Sequence, residues 1–117
     1  MDLIAKESDE QAAFVEWLRF NRVLFCHVPN GGHRHIATAR RMKNLGVEAG
    51  VPDILIFDKP PKKPDFCGTA IEMKRKKGGH LSDKQKEWIE KLRHRKWLVY
   101  TANGAGEAIN YCRSLGY

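Results

Sequence analysis

The sequence predicts a single α/β domain in which one mixed sheet is flanked by helices. Three observations carry that expectation. Segments with apolar residues at helical spacing alternate with short apolar runs of strand length, and glycine, proline or asparagine marks the boundaries. The resulting order, α-β-α-β-β-α-β-α, interleaves the two element types, and such a chain packs most simply as a sheet with helices on its faces. Finally, 117 residues suffice for one modest core, and no repeat, low-complexity stretch or linker divides them, so one domain spanning 1–117 is expected.

The elements follow in order. Ser8 opens the first helix and Gln11, three residues on, completes a capping box; Phe14, Val15 and Leu18, with Trp17, form the face to be buried. That helix ends near Asn21. Residues 23–28 (Val-Leu-Phe-Cys-His-Val) read as a buried strand, and Pro29-Asn30-Gly31-Gly32 as the loop after it. A second, strongly basic helix runs from Ile36 to Leu45 and is stopped by Gly46. Gly50-Val51-Pro52 then punctuates the chain before a strand at 53–57, and a loop rich in proline and lysine covers Lys59 to Pro64. In the strand at 69–74, Ile71 and Met73 face the core while Glu72 and Lys74 share the opposite face. Joined by a short loop, these two strands form an antiparallel hairpin. Ser82 with Gln85 makes another capping box, and Trp88, Ile89 and Leu92 form the stripe of the helix it opens. A strand at 96–101 and a last helix capped by Asn103, carrying Ala108, Ile109 and Cys112, complete the chain; Trp88 and Trp97 are expected in the core.

Composition narrows the function. Lys and Arg number 21 against 14 Asp and Glu, a net charge of +7 with a pI near 9.5, which suggests an anionic partner and most economically nucleic acid. Cys26, Cys67 and Cys112 are far apart and form no CxxC pair, so neither a zinc ribbon nor a disulfide framework is indicated; Cys26 and Cys112 read as small core residues. There is no signal-peptide pattern and no apolar stretch long enough for a membrane span, so a reducing cytoplasm is the expected compartment. No P-loop or GxSxG pattern supports nucleotide-driven or serine-based chemistry.

The segment from Gly50 to Lys74 carries the chemistry. Asp53 begins one strand and Glu72-x-Lys74 lies on the next, so a hairpin brings two carboxylates together on one sheet face. Such a hard, oxygen-rich pair suits Mg²⁺ or Mn²⁺. Lys74 projects to the same point, where it can orient or help deprotonate a water and offset charge building on phosphorus. Metal, carboxylates and lysine together are a toolkit for phosphodiester hydrolysis. The bland alternative makes Glu72 and Lys74 the solvated face of an amphipathic strand. His33, Arg34, Arg40, Arg41 and Lys43 are candidate phosphate contacts, and Arg75, Lys76 and Lys77 a substrate clamp beside Lys74. His33-x-His35 without a third ligand nearby reads as an exposed loop rather than a metal site.

Gly50-Val51-Pro52-Asp53 followed by Ile71-Glu72-Met73-Lys74 resembles the VRR-NUC domain of the PD-(D/E)XK nuclease superfamily, which has a restriction-endonuclease-like fold. The resemblance extends to Glu10-Gln11 on the first helix and to Leu81-Ser82-x-x-Gln85 leading into Trp88. It covers nearly the whole chain, as in a stand-alone, virus-type member, whose setting would be a host cytoplasm. It implies that Asp53 and Glu72 bind the metal, that Lys74 is catalytic, and that the Met73 backbone carbonyl is a further ligand. It also implies site roles for Glu10, as the first-helix acid and a metal ligand, and for Gln85. One such domain cuts one strand; symmetric cutting of a four-way junction takes two, which a C₂ homodimer supplies. The expectation is therefore a homodimeric endonuclease for branched DNA, similar to a Holliday-junction resolvase. A non-catalytic basic module that binds nucleic acid, or a small basic interaction protein, is the alternative.

Overall fold

In the computed structural model, which describes residues 6–29 and 36–117, the elements follow the expected order. They are α1 (Glu7–Phe20), β1 (Phe25–His27), α2 (Ile36–Asn44), β2 (Ile54–Ile56), β3 (Gly68–Lys74), α3 (Asp83–Arg93), β4 (Trp97–Asn103) and α4 (Ala105–Ser114). The sheet order is β1-β2-β3-β4, with β1/β2 and β2/β3 antiparallel and β3/β4 parallel. The mixed α/β sandwich is thus present, and the β2–β3 hairpin with it. Its connection is longer than the short loop expected, running from Phe57 to Cys67.

The sheet is covered on both faces, which buries all of β3 from Gly68 to Lys74. On one side α1 and α4 press Phe14, Leu18, Ala108 and Cys112 onto Ile54, Ile56, Ile71 and Met73. On the other, α3 brings Ile89 onto Ala70 and Val99, with Leu55, Leu81, Leu92 and Trp97 around them. The alternation predicted along β3 holds, since Ile71 and Met73 enter the larger core. Glu72 and Lys74 lie on the other face, and that face is roofed by α3 rather than solvated. Both are buried, at 2% and 8% exposure.

Several local expectations are corrected. α1 starts two residues early, at Glu7; Lys6 rather than Ser8 is its N-cap and makes no side-chain cap bond. Glu7, Asp9 and Glu10 in its first turn complement the helix dipole instead, and Gln11 hydrogen-bonds His27 Nδ1 at 3.1 Å. β1 is an edge strand with Cys26 and His27 exposed, so the segment at 23–28 is no buried strand and Cys26 no core residue, whereas Cys112 is. Asn103 belongs to β4, and Gly104, at φ +98°, caps α4. Trp88 and Trp97 are only half-buried. No described helix is long and apolar enough to cross a membrane.

Candidate active site

Pairing of β2 with β3 brings the two motif strands side by side. Ile54 is the partner of Ile71, so the next step along the ladder sets Asp53 opposite Glu72. Strand alternation places Asp53 on the face of Leu55, and Glu72 on that of Ala70, the face that α3 covers. The Asp53 carboxylate extends the ladder itself, its Oδ2 accepting the Met73 N–H at 2.8 Å. Behind it, the Asp53 carbonyl accepts from Val28 N at 2.8 Å and lies 2.8 Å from His27 Nδ1, so β1 braces the turn.

The first turn of α3 closes the site. Ser82 Oγ accepts from Gln85 N at 3.2 Å and Gln85 Oε1 from Ser82 N at 2.9 Å, the expected capping box. The same Gln85 amide reaches the strand: its Nε2 donates to Glu72 Oε1 at 3.1 Å, and its Oε1 accepts from Lys74 Nζ at 3.1 Å. Gln85 therefore joins Glu72 and Lys74 directly while it caps the helix that carries it.

Electrostatics mark the same place. Burial pushes the Glu72 carboxyl up to about 9, helped by a hydrogen bond to Asp53 and by that residue's charge, with Lys74 pulling the other way. Two carboxylates packed without a countercharge equal to both disfavour the charged form of Glu72. Glu7 is a third acid at the rim. Its carboxyl is raised by partial burial, lowered by Lys74, raised by Asp53 and lowered by Arg75. Glu7, Lys74 and Arg75 also line a cleft of about 400 Å³ with Lys6, Gly78, Gly79 and His80.

The donor set fits a small divalent cation that keeps its waters. Among the described residues no three His, Cys, Asp or Glu side chains form a closed metal cage. Mg²⁺ commonly needs only one or two carboxylates, with water and substrate phosphate completing its shell. Asp53 and Glu72 supply two, and a divalent ion would offset the charge that their burial disfavours.

The remaining predicted residues divide. Glu10 lies away from this cluster: it is buried, its Oε1 accepts from Ala105 N at 3.2 Å, and its Oε2 lies 4.0 Å from Lys76 Nζ without a hydrogen bond. It thereby takes the place of the side-chain cap that α4 lacks at Gly104. The structure thus brings Glu7, not Glu10, toward Asp53 and Glu72. The signal was available, since Glu7 is one heptad before Phe14, on the face of α1 that turns to the sheet; starting the helix at Ser8 hid it. Arg75, Lys76 and Lys77 are exposed just after Lys74, and Arg40, Arg41 and Lys43 are exposed on α2. His33 and Arg34 lie outside the described residues, as does His35.

Two of the comparisons with known proteins find matches. The family model of the VRR-NUC domain matches residues 5–106. A solved structure described as a VRR_NUC domain protein superposes with a TM-score of 0.79 at 23% identity, over 96% of this chain and 88% of that one. At that identity the likeness speaks for the fold. No curated protein matches the chain.

Proposed function

The chain belongs to the VRR-NUC domain family, a nuclease-type domain, and from that premise we propose that it is a Mg²⁺- or Mn²⁺-dependent endodeoxyribonuclease. The observation that carries the reading is the Gln85 amide bonded to both Glu72 and Lys74, with Asp53 facing Glu72 from the neighbouring strand. Family membership names the chemistry, and that network supplies groups able to perform it.

Asp53, Glu72 and the Met73 carbonyl would hold the ion, which when bound supplies Lewis acidity to the phosphodiester. The chain's own groups do the rest. Lys74, with its stem buried and its ammonium held by Gln85, is positioned to orient the attacking water and to donate to a non-bridging phosphate oxygen as charge grows there. Gln85 fixes the Glu72 carboxylate and the Lys74 ammonium relative to each other. Glu7 adds a negative charge beside Lys74 and Asp53, suited to a water-mediated contact with the ion. Arg75, Lys76 and Lys77, with the basic face of α2 and the candidates His33 and Arg34, supply phosphate contacts. The proposed substrate is branched DNA, cut by a homodimer that sets one site against each strand.

The test is cleavage of labelled four-way junction, flap, single-stranded and linear duplex DNA with Mg²⁺, Mn²⁺ or EDTA, using wild type and Lys74→Ala. Metal-dependent cutting that falls at least a hundred-fold in the variant, with DNA binding retained, is expected. Preference for the junction and a solution mass of twice 13.4 kDa are expected for the resolvase-like assembly. Binding without cutting on every substrate would make the chain a basic DNA-binding module.

A further inference from the structure

A groove between α2 and α3 is left over once the catalytic network is accounted for. It encloses about 270 Å³, near the lower end of small-ligand sites. Its apolar wall is made by Met42 and Val47 from the α2 side and by Trp88 from α3. Around that wall stand three lysines against two glutamates, and one of those acids, Glu87, lies 3.8 Å from Lys84. Lys91 Nζ lies over the Trp88 ring, 5.7 Å from its centroid. Trp88 is half-buried, and among the described residues α2 has no sustained packing against another element and none covers the groove.

Its position ties it to the active site. Trp88 follows Gln85 by three residues, about one helical turn or ~5 Å along the axis. The loop below the groove docks on the same turn of α3, with Gly50 so close that a Cβ there would lie 2.5 Å from the Lys84 carbonyl carbon. An aromatic ring flanked by cations, one turn from the residue that orients Lys74, matches what a DNA strand presents beside a cut: a flat base between two phosphates.

We propose that this groove takes an unpaired nucleobase of the substrate, stacked on Trp88, with Lys43 and Lys91 meeting the adjoining phosphates. The base would then belong to a nucleotide close to the scissile phosphate. The inference rests on the nuclease reading for its substrate and deepens it: recognition of an unpaired base is how so small a domain would prefer branched or gapped DNA over continuous duplex. Stacking tolerates any base, so the preference is for structure and not for sequence.

The test separates binding from cleavage. Anisotropy in EDTA compares a gapped duplex whose single-stranded stretch carries normal bases with the same duplex carrying abasic nucleotides. Wild type should prefer the normal bases on the order of ten-fold, by the usual strength of base–aromatic stacking. Trp88→Ala should erase the preference while leaving abasic binding unchanged, an internal control for folding. Trp88→Phe keeps a stacking ring and should retain most of it. Should Trp88→Ala bind neither DNA, the comparison passes to Trp88→Phe and to wild-type fluorescence, whose quenching by normal but not abasic DNA must be lost in Trp88→Phe. No preference in wild type, or one that survives in Trp88→Ala, overturns the inference and leaves the Lys74 cleavage result untouched. A Trp88-dependent preference in a chain that never cuts DNA would uphold the groove and sink the nuclease.

Discussion

At Gln85 one amide meets the needs of fold and site together. Its Oε1 closes the α3 capping box and accepts from Lys74, while its Nε2 holds Glu72. The residue was visible in the sequence as a capping partner, but its contact with Glu72 and Lys74 depends on where α3 lands on the sheet. Two of the three acids in the α1 first turn separate more sharply. Glu7 lies within electrostatic reach of Lys74 and Asp53, whereas Glu10 caps α4 through Ala105. Glu7→Gln should therefore lower cleavage about ten- to hundred-fold, the usual effect of losing a partner behind a metal ligand, with only the small loss of Tm that one helix-dipole charge accounts for. Glu10→Ala should instead cost about 1–2 kcal/mol of stability, as lost caps do, with specific activity of the folded enzyme kept. Thermal melts run beside a cleavage assay decide between them, and the reverse pattern would return the catalytic role to Glu10.

Among the elements, the turn ahead of β2 and the first turn of α3 behave as one piece. Gly50 adopts φ +91°, and a Cβ there would meet Lys84 backbone at 2.5–2.6 Å and Gln85 N at 2.9 Å. None of these neighbours is a flexible side chain that could swing away. Gly50→Ala should destabilise by about 1–3 kcal/mol through left-handed strain and overpacking. It should also lower kcat more than that loss of folded protein explains, because the turn carries Asp53 and the helix carries Gln85. A denaturant midpoint together with kcat at a temperature where the variant stays folded tests this, and an unchanged kcat would uncouple the two. Elements with local signals were legible in the sequence: the Ser82–Gln85 box, the Gly46 stop of α2, and alternation along β3. What failed was set by distant partners. β1 looks apolar enough to bury, but its place at the sheet edge exposes Cys26. Trp88 sits in a helical stripe, yet it faces the groove beside α2 and not the core. Asn103 is a good cap by type, but parallel pairing with Lys74 draws it into β4.

For the molecule as a whole, burial and charge set separate dependences on pH and salt. Burial pushes the Cys112 thiol from 9.0 to about 12, and Tyr117 from 10.0 to about 12 despite its hydrogen bond to Thr69. Both groups fold in the protonated form, so their stability is fully present below the unfolded values and is lost as pH rises through 9–12. Melts should show a decline beginning near pH 9, and Cys112→Ala should delay it by about a unit; an unshifted onset would remove Cys112 as the cause. Salt tests where the charge acts. The +7 net charge alone would favour DNA anywhere on the surface, but its distribution is not uniform with respect to the site. Arg40 and Arg41 lie on α2 beside the Trp88 groove, while Lys59, Lys62 and Lys63 lie in the β2–β3 connection. That connection leaves the hairpin at the end away from Asp53 and Lys74, roughly 20 Å along β3 at ~3.3 Å per residue. Each phosphate neutralised adds about 0.9 to the slope of log K against log salt on duplex DNA. Replacing Arg40 and Arg41 by alanine should therefore reduce the slope by nearly 2 if each meets a phosphate, whereas replacing Lys59, Lys62 and Lys63 by glutamine should leave it within experimental error. Binding isotherms in EDTA across a salt series measure both slopes. Equal losses from the two sets would mean that DNA is held by net charge rather than by a surface that leads to Lys74.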